Sequence, residues 1–410
     1  MAEVDSRVSR VSCNWLIVAA LFTIWSVVYG IQYSFGIFFR SLQDALGCSR
    51  GTISWAMTIQ VLIFALSLVP AGWAIDRFGF RTVYSLAAFM FGIPLVLCSR
   101  VSEPWQLYLL HGLIGISTGI YGPSIFTVIT RWFTEKRGMA MGLASAGAGF
   151  GALVVPPLAN QLIASCGWRN TFVIFGLASF IILSVCIQCI KNPPEPASDR
   201  TKTQSAAGNP ADGNQERRSP PLRGITFGRA IRTREILFII AAAAAGQLAA
   251  RMIVVHIAPH AVDIGISPFV AAMALSTIGC GSLFGRIVMG FVQDRIGAQR
   301  SMIICLTTMG ICLFALPFMT SDAAFFVFAI LFGLAFGGDV PQVPALTVQC
   351  FGVASMGVIY ALISAAVHLL SSLGPLAAGY IFDVTRSYTI AFLGAGIILF
   401  LGVFSVFRIK

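Results

Sequence analysis

The chain has 410 residues, of which 57% are hydrophobic and only 10% are charged; its mean hydropathy is +0.86 and its formal net charge is +11. A soluble domain has about 25% charged residues, so these side chains cannot cover the surface of a water-soluble globule of this size. The composition therefore excludes an ordinary cytosolic enzyme and a disordered chain, and it predicts a helical membrane protein that crosses the bilayer many times.

Twelve apolar segments are long enough to cross a bilayer, which requires about 20 residues per helix. Their unbroken length differs from the short alternating strands of a porin-like barrel. The predicted spans lie near residues 14–39, 52–75, 82–99, 105–130, 138–164, 168–190, 236–260, 268–292, 301–319, 322–348, 356–381 and 388–407.

A polar stretch at 191–230 separates the sixth span from the seventh, and its Pro, Ser, Asn and mixed charges predict a linker rather than a packed core. The predicted fold class is therefore an all-α integral membrane protein with two six-helix bundles. The N-terminal bundle is expected at 1–190, the linker at 191–230 and the C-terminal bundle at 231–410.

The positions of Lys and Arg predict the orientation. With the N-terminus inside, twenty of the 27 basic residues lie in inner loops or at the termini and two lie within spans. The five in outer loops are Arg40, Arg50, Arg100, Arg169 and Arg386. Because basic loops stay on the cytoplasmic side, both termini and the linker are predicted to be cytoplasmic. This topology also accounts for the net charge, so we expect a lipid bilayer and no nucleic acid as partner.

An internal repeat relates the two halves at a constant offset of 218 residues. A set of matches at one offset is not expected by chance, and two parallel six-span halves are typical of transporters whose halves rock against each other. The matching pairs are Gly72 and Gly290, Asp76 and Asp294, Arg77 and Arg295, Gly79 and Gly297, Gly115 and Gly333, Gly119 and Gly337, Pro123 and Pro341, Phe133 and Phe351, and Pro157 and Pro375.

The segment after the second span reads GWAIDRFGFR from Gly72 to Arg81, and a partial copy, GFVQDRIGAQR, follows the eighth span. This motif resembles the signature of the major facilitator superfamily. The resemblance implies two pseudo-symmetric bundles of transmembrane helices. Glycine allows close helix approach, and Asp and Arg can latch neighbouring helices at the cytoplasmic face, so we expect a conformational gate there. The predicted gating residues are Gly72, Asp76, Arg77, Gly79, Arg81, Asp294 and Arg295.

A finer resemblance is to the monocarboxylate and oxalate:formate porters of that superfamily. It is carried by YSFGIFF from Tyr33, RWFTEKRGMAMG from Arg131, GWRNTF from Gly167, HIAPHAVDIGIS from His256, GRIVMG from Gly285 and GPLAAGYIFDVTRSY from Gly374. The sequence also departs from some animal carriers, since span 1 has no Lys and Ser282 stands where those carriers have an Asp. Their proton route is therefore not implied for this chain.

Three charged residues lie within spans, where burying a charge costs about 2.5–3.5 kcal/mol and therefore indicates function. Arg286 lies about 12 Å from the cytoplasmic end of span 8, and its guanidinium can hold a carboxylate through two bonds. The resemblance also implies a substrate-binding Arg in that span.

Two further charged residues are Arg251 in span 7 and Asp339 in span 10. With neutral histidines the net charge of the three residues is +1, which one monocarboxylate would neutralise. Two alternatives stay open: Arg286 snorkels to the nearer face, and Asp339 forms a structural ion pair with Arg251.

Polar and aromatic residues of neighbouring spans complete the candidate set. Helical spacing places Tyr29, Gln32 and Tyr33 on one face, and it places the two histidines of span 7 opposite Arg251 unless Pro259 breaks the helix. Each tyrosine is equally explained by core packing or interface anchoring. The predicted substrate-binding residues are Arg286, Arg251, Tyr121, Tyr29, Tyr33, Gln32, Gln247 and His256. The proton-coupling candidates are Asp339, His260 and His368.

The sequence has no phosphate loop, dinucleotide fingerprint, metal-ligand spacing or nucleophile motif, so we expect no enzyme, no ATP-driven pump and no cofactor or metal. It predicts a secondary active transporter that moves a small organic anion, by resemblance a monocarboxylate, coupled to protons or to anion exchange. We expect a monomer in a bacterial-type inner or plasma membrane. Two alternatives stay open: an antiporter of drugs or metabolites against protons, whose cavity would be acidic, and a membrane sensor with a transporter fold.

Overall fold

The computed structural model describes residues 2–132, 137–190, 227–352 and 356–409. The regular secondary structure of these residues is helical. A 3₁₀ turn at Leu316–Phe318 supplements the α-helices. The helices are α1 (Ala2–Tyr33), α2 (Phe35–Leu46), α3 (Arg50–Phe78), α4 (Phe80–Cys98), α5 (Pro104–Trp132), α6 (Arg137–Cys189), α7 (Phe227–Ala230), α8 (Arg234–Asp263), α9 (Pro268–Ile296), α10 (Ala298–Ala315), α11 (Asp322–Asp339), α12 (Gln342–Phe351), α13 (Met356–Ser371), α14 (Leu373–Thr385) and α15 (Thr389–Phe407).

Ten segments of the described part of the chain are long and apolar enough to cross a membrane. One of them, Ala140–Cys189, covers nearly all of the predicted fifth and sixth spans, which meet at a kink where Gly167 has φ of 81°. This backbone conformation is open to glycine and strained for other residues. The multi-span helical fold is thus confirmed, whereas the count of twelve spans stays a prediction.

Large apolar side chains cover much of the outside of the helices. Phe318 is 81% exposed, Phe291 69% and Leu237 64%. A protein in water would not leave so many large apolar groups on its surface, but hydrocarbon is a suitable solvent for them. The exposed surface therefore supports a membrane location.

Two hydrophobic cores lie inside the molecule. One is built almost wholly from residues 17–190, and the other from residues 230–409. In the first core Phe38 stacks on Phe172 at 4.2 Å between ring centroids, and in the second Phe328 stacks on Phe332 at 5.3 Å. We call these parts the N-terminal half and the C-terminal half. Residues 191–226 of the predicted linker lie outside the described residues, and the predicted bundle boundaries stay predictions.

The halves touch each other at several close helix crossings. A Cβ atom on Gly36 of α2 would lie 2.9 Å from the carbonyl oxygens of Val254 and Val255 in α8, and one on Gly149 of α6 would lie 2.9 Å from the Cβ of Leu283 in α9. Glycine at these crossings lets the two halves approach closely. We call the end of the bundle where α3, α9 and α15 begin the outer end, and the opposite end the inner end.

Candidate functional site

Arg251 of α8 and Arg286 of α9 both lie close enough to Tyr29 and Tyr33 on α1 for electrostatic interaction with their hydroxyl groups. Both arginines are half-buried. Arg251 donates from Nη2 to Nδ1 of His368 at 3.1 Å, and Arg286 donates from Nη1 to the Ser145 carbonyl oxygen at 3.3 Å. The Nε atom of each guanidinium is buried and has no acceptor among the described residues. Each arginine therefore has at least one donor that no described residue satisfies.

The lining of this site includes aromatic residues that the sequence interpretation did not select. Tyr360 of α13 lies within electrostatic reach of Tyr29, and the Phe64 ring of α3 meets the His368 ring edge-on at 4.9 Å. Tyr360 and His368 are eight residues apart, so a helix places them on one face, and this spacing could have identified Tyr360. Phe64 has no comparable signal. We call Tyr29, Tyr33, Arg251, Arg286 and His368 the central site.

The central site contains two positive charges, and the ion pair that the described residues do form lies elsewhere, between Arg50 and Asp263. Because Arg251 donates to Nδ1 of His368, that nitrogen carries no proton and the histidine is neutral. The predicted net charge of +1 counted Arg251, Arg286 and Asp339 together. Because Asp339 forms no ion pair with either arginine among the described residues, the net charge of the central site is +2.

Asp339 is the last residue of α11 and is 1% exposed. A Cβ atom on Gly246 of α8 would lie 2.7 Å from its Oδ2 atom. Gly246 is five residues from Arg251, which places the two positions about 140° apart around α8. In the described part of the chain neither carboxylate oxygen of Asp339 has a hydrogen-bond partner. The alternative of an ion pair between Asp339 and Arg251 is therefore wrong.

Helix α8 continues past Pro259 to Asp263, so the break that would turn both histidines toward Arg251 does not occur. His256 is fully buried; Nε2 lies 2.8 Å from the Pro375 carbonyl oxygen and Nδ1 lies 3.0 Å from the Tyr388 hydroxyl. His260 packs among aromatic rings, 5.1 Å from the Phe392 centroid. Both histidines belong to the outer end of the molecule rather than to the central site.

An ion pair joins the two halves at the outer end. Arg50 at the start of α3 donates to Asp263 at the end of α8, with an Nη1–Oδ2 distance of 2.5 Å and an Nη2–Oδ1 distance of 2.8 Å. Nη1 also donates to the Tyr388 hydroxyl at 2.8 Å, and the guanidinium carbon lies 3.8 Å from the centroid of the Phe382 ring. The backbone N–H groups of Arg50 and Gly51 donate to the two oxygens of Asp383 at 2.8 and 2.7 Å.

We call Arg50, His256, Asp263, Asp383 and Tyr388 the outer cluster. Sequence reasoning placed Arg50 in an outer loop as one of five basic residues there. No spacing signal links it to its partners, which are 213 and 333 residues away along the chain.

The structure separates other candidates from the central site. Tyr121 is fully buried in the N-terminal core, where its hydroxyl donates to the Tyr84 carbonyl oxygen at 3.1 Å. Gln32 lines a small cavity of about 20 Å³ inside the same half, together with Gln60 and His111. Gln247 is not among the separated candidates, because it is half-buried and lies four residues before Arg251, on the same face of α8.

The predicted gating motif has a clear structural role at two of its glycines. Gly79 and Gly297 have φ of 81° and 87° and join α3 to α4 and α9 to α10, so the repeat preserves the same turn in both halves. A Cβ atom on Gly72 or Gly290 would meet no atom within 4 Å, so close helix packing does not explain these two glycines in this conformation.

The charged members of the motif lie near the inner end. Arg81 donates to the carbonyl oxygens of Ile190 and Gln188 at 3.0 and 3.2 Å, an interaction that suits the negative end of α6. Arg77 lies 5.2 Å from the Trp73 ring centroid, and Asp294 and Arg295 are exposed. The side chain of Asp76 lies outside the described residues.

A family model described as Major Facilitator Superfamily matches residues 15–259 and 236–410. The chain is 24% identical to Monocarboxylate transporter 2 of Mesocricetus auratus over 397 residues, which cover 94% of this chain and 81% of that protein. It is 28% identical to MFS-type transporter 1 of Ophiocordyceps sp. (strain BCC 1869) over 351 residues, covering 84% and 73%. It is also 24% identical to Monocarboxylate transporter 13 of Rattus norvegicus over 393 residues, covering 95% and 87%.

The fold is similar to the crystal structure of a bacterial homolog of the human lysosomal transporter Spinster in an inward-facing and unoccupied conformation. The TM-score is 0.75, the sequence identity is 15%, and the match covers 96% of each chain.

Proposed function

The chain belongs to the major facilitator superfamily, and from this premise we propose that it is a secondary active transporter that moves a small organic anion across the membrane by alternating access. The observation that carries the proposal is the pair of arginines in the central site, each with a free Nε donor and without a carboxylate partner in the described part of the chain. Several relatives are named monocarboxylate transporters, which supports a carboxylate as the substrate.

The charge of the central site restricts the substrate class. The two guanidinium groups repel cations, and they provide paired donors that fit carboxylate oxygens. The neutral His368 adds no charge that would offset theirs. A monocarboxylate neutralises one of the two charges, and a dicarboxylate neutralises both. The hydroxyls of Tyr29 and Tyr33 supply further donors, while their rings offer an apolar surface to the rest of the substrate. The positive charge of the central site argues against the alternative function, an exporter of cationic drugs.

Asp339 is the strongest candidate for the coupling-proton site. An ionised carboxylate without a counter-charge or hydrogen bond is very costly in an apolar interior, so Asp339 binds a proton in this conformation. A change in the packing of α8 against α11 that admits water to the carboxylate would release that proton. His368 is less suited to the role, because a proton on Nδ1 would displace the bond from Arg251. His260 remains a secondary candidate.

The two halves move about the central site, and the residues of the gating motif act near the inner end. We place both termini in the cytoplasm and the protein, as a functional monomer, in a bacterial-type plasma membrane, following the distribution of basic residues.

Counterflow in liposomes tests the proposed function. Purified protein is reconstituted with an unlabelled carboxylate inside, and uptake of the same labelled carboxylate is measured for a panel of monocarboxylates, dicarboxylates, neutral analogues and cations. We expect counterflow for at least one carboxylate and none for cations. Carboxylate binding without any counterflow would favour the membrane sensor, and counterflow of cations alone would overturn the anion assignment.

A further inference from the structure

We propose that the outer cluster is a latch, centred on Arg50, whose closure holds the outer ends of the two halves together and whose release exposes the central site to the outside. The inference rests on the proposed alternating-access function and assigns a role to residues outside the central site.

The latch joins one helix of the N-terminal half to three elements of the C-terminal half. The Arg50 side chain binds Asp263 of α8 through two hydrogen bonds and Tyr388 at the start of α15 through a third. The backbone at the start of α3 binds Asp383 of α14 through two more bonds. A separation of the halves at this end breaks all five bonds together.

A chain of hydrogen bonds extends from the ion pair into the interface. The Pro375 carbonyl can only accept, so Nε2 of His256 carries the proton, and Nδ1 of the neutral ring accepts from the Tyr388 hydroxyl. Arg50 thus donates to Tyr388, Tyr388 to His256, and His256 to the backbone of α14. The Ser54 hydroxyl, 3.3 Å from Nε2, lies beside this chain.

The helices that carry the latch touch at the backbone, so side-chain rotation alone cannot open it. A Cβ atom on Gly379 of α14 would lie 2.9 Å from the Arg50 carbonyl oxygen, and one on Gly51 of α3 would lie 3.5 Å from the Tyr380 Cα atom. Opening therefore requires that α3 and α14 move apart as helices, which is a movement of one half against the other.

The environment of the ion pair shields it from solvent. The side chains of Arg50 and Asp263 are 10% and 30% exposed, and Phe382 covers one face of the guanidinium. Salt screens such a partly buried pair less than an exposed one. Beyond the outer cluster and its neighbour Ser54, two hydrogen bonds join the described parts of the halves, Thr58 to the Ser372 carbonyl at 2.9 Å and Arg286 to the Ser145 carbonyl at 3.3 Å. The charged contacts that favour outer closure are thus concentrated in the latch.

Accessibility of Thr58 tests the latch. Thr58 is 2% exposed, lies two helical turns inside Arg50 on α3 and faces the other half, so a cysteine there is shielded while the latch is closed. The reporter Thr58→Cys is placed in a full-length chain whose native cysteines are replaced. It is reconstituted in vesicles and labelled with a membrane-impermeant maleimide applied from each side in turn.

We expect Arg50→Met to raise the labelling rate from the outer side about 5- to 150-fold, the range of a typical coupling between two conformations. Asp263→Asn should raise it as well, and the double variant should label no faster than the faster single variant, because the pair is already broken. Arg40→Met, which removes an exposed charge at the same end of the molecule, is the matched control and should leave the rate unchanged.

Tyr388→Phe provides a milder variant in case Arg50→Met does not fold, because it removes a single hydroxyl from a fully packed ring. It should still raise the labelling rate. An unchanged rate in folded Arg50→Met or Tyr388→Phe, or strictly additive effects of Arg50→Met and Asp263→Asn, would overturn the latch. The labelling needs no transported solute, so a failure of the latch is distinguished from a failure of the anion-transport proposal, which counterflow measures separately.

Discussion

Replacement of Arg286 by Lys preserves the charge of the central site and removes the planar fork that can hold a carboxylate through two bonds. In the structure Nη1 of Arg286 makes one long bond, 3.3 Å, to the Ser145 carbonyl oxygen, and Nε makes none with the described residues. The substitution therefore sacrifices little internal structure, and its effect should fall on the ligand. Loss of one charge-assisted hydrogen bond corresponds to about 1.5–3 kcal/mol, hence about 10- to 150-fold weaker carboxylate binding.

The assay is equilibrium binding of the best carboxylate from the counterflow panel to purified wild type and Arg286→Lys. Both proteins should show the same elution profile and thermal midpoint, so that binding is compared at matched folding. Leu68→Ala is the control, because residue 68 is the repeat-related position in α3 and carries no donor; its affinity should equal that of wild type. Equal affinities of wild type and Arg286→Lys would remove Arg286 from the site and transfer the principal role to Arg251.

Three further predictions address coupling, stability and topology. Asp339→Asn should abolish uptake driven by a pH gradient while counterflow persists, since the amide cannot carry the coupling proton; equal loss of both activities would contradict the proton role. Gly79→Ala should destabilise the protein by about 1–3 kcal/mol, because φ of 81° strains any side chain. Gly72→Ala, whose added Cβ meets no atom within 4 Å, should not lower the thermal midpoint, since alanine is the better helix former. A cysteine introduced by Ser205→Cys in the linker should react with an impermeant label from the cytoplasmic side and not from outside, and the reverse pattern would invert the assigned orientation.

The helical membrane fold was predictable because it depends on properties that the sequence displays locally. Hydropathy predicted a chain with many membrane-crossing helices, and the shared offset of Gly79 and Gly297 correctly indicated a repeated element, since both adopt the same turn. Pro341, which has no N–H group, lies between the end of α11 at Asp339 and the start of α12 at Gln342, where a proline interrupts a helix.

The surroundings of single side chains were harder to predict, because they depend on how each helix is rotated against its neighbours. One open alternative paired Asp339 with Arg251, but the rotation of α11 directs Asp339 toward Gly246 on another side of α8. Tyr121 corresponds to Asp339 by the repeat, yet its hydroxyl bonds within the N-terminal core. The repeat preserves the fold of the backbone in both halves without preserving the chemistry of the side chains.

The outer cluster was not predicted, because its members are joined by neither periodicity nor the repeat. The offset relates Asp263 to Ala45 and Asp383 to Ser165, so the repeat does not preserve either carboxylate. Basic residues are concentrated in cytoplasmic loops, so Arg50 in an outer loop is an exception to that rule. Such an exception in an outer loop is itself a signal that could have indicated a specific partner.

The start of α3 is capped from two sources, and this affects how water takes part in outward opening. Ser49 accepts from the Thr52 N–H group within the same half, whereas the N–H groups of Arg50 and Gly51 depend on the carboxylate of Asp383 in the other half. A helix leaves its first N–H groups without internal acceptors, so when the halves separate these two must be hydrated at once. In the proposed mechanism, outward opening therefore hydrates buried N–H groups as well as moving the halves apart, and we expect an excluded osmolyte such as sucrose to favour the closed outer end.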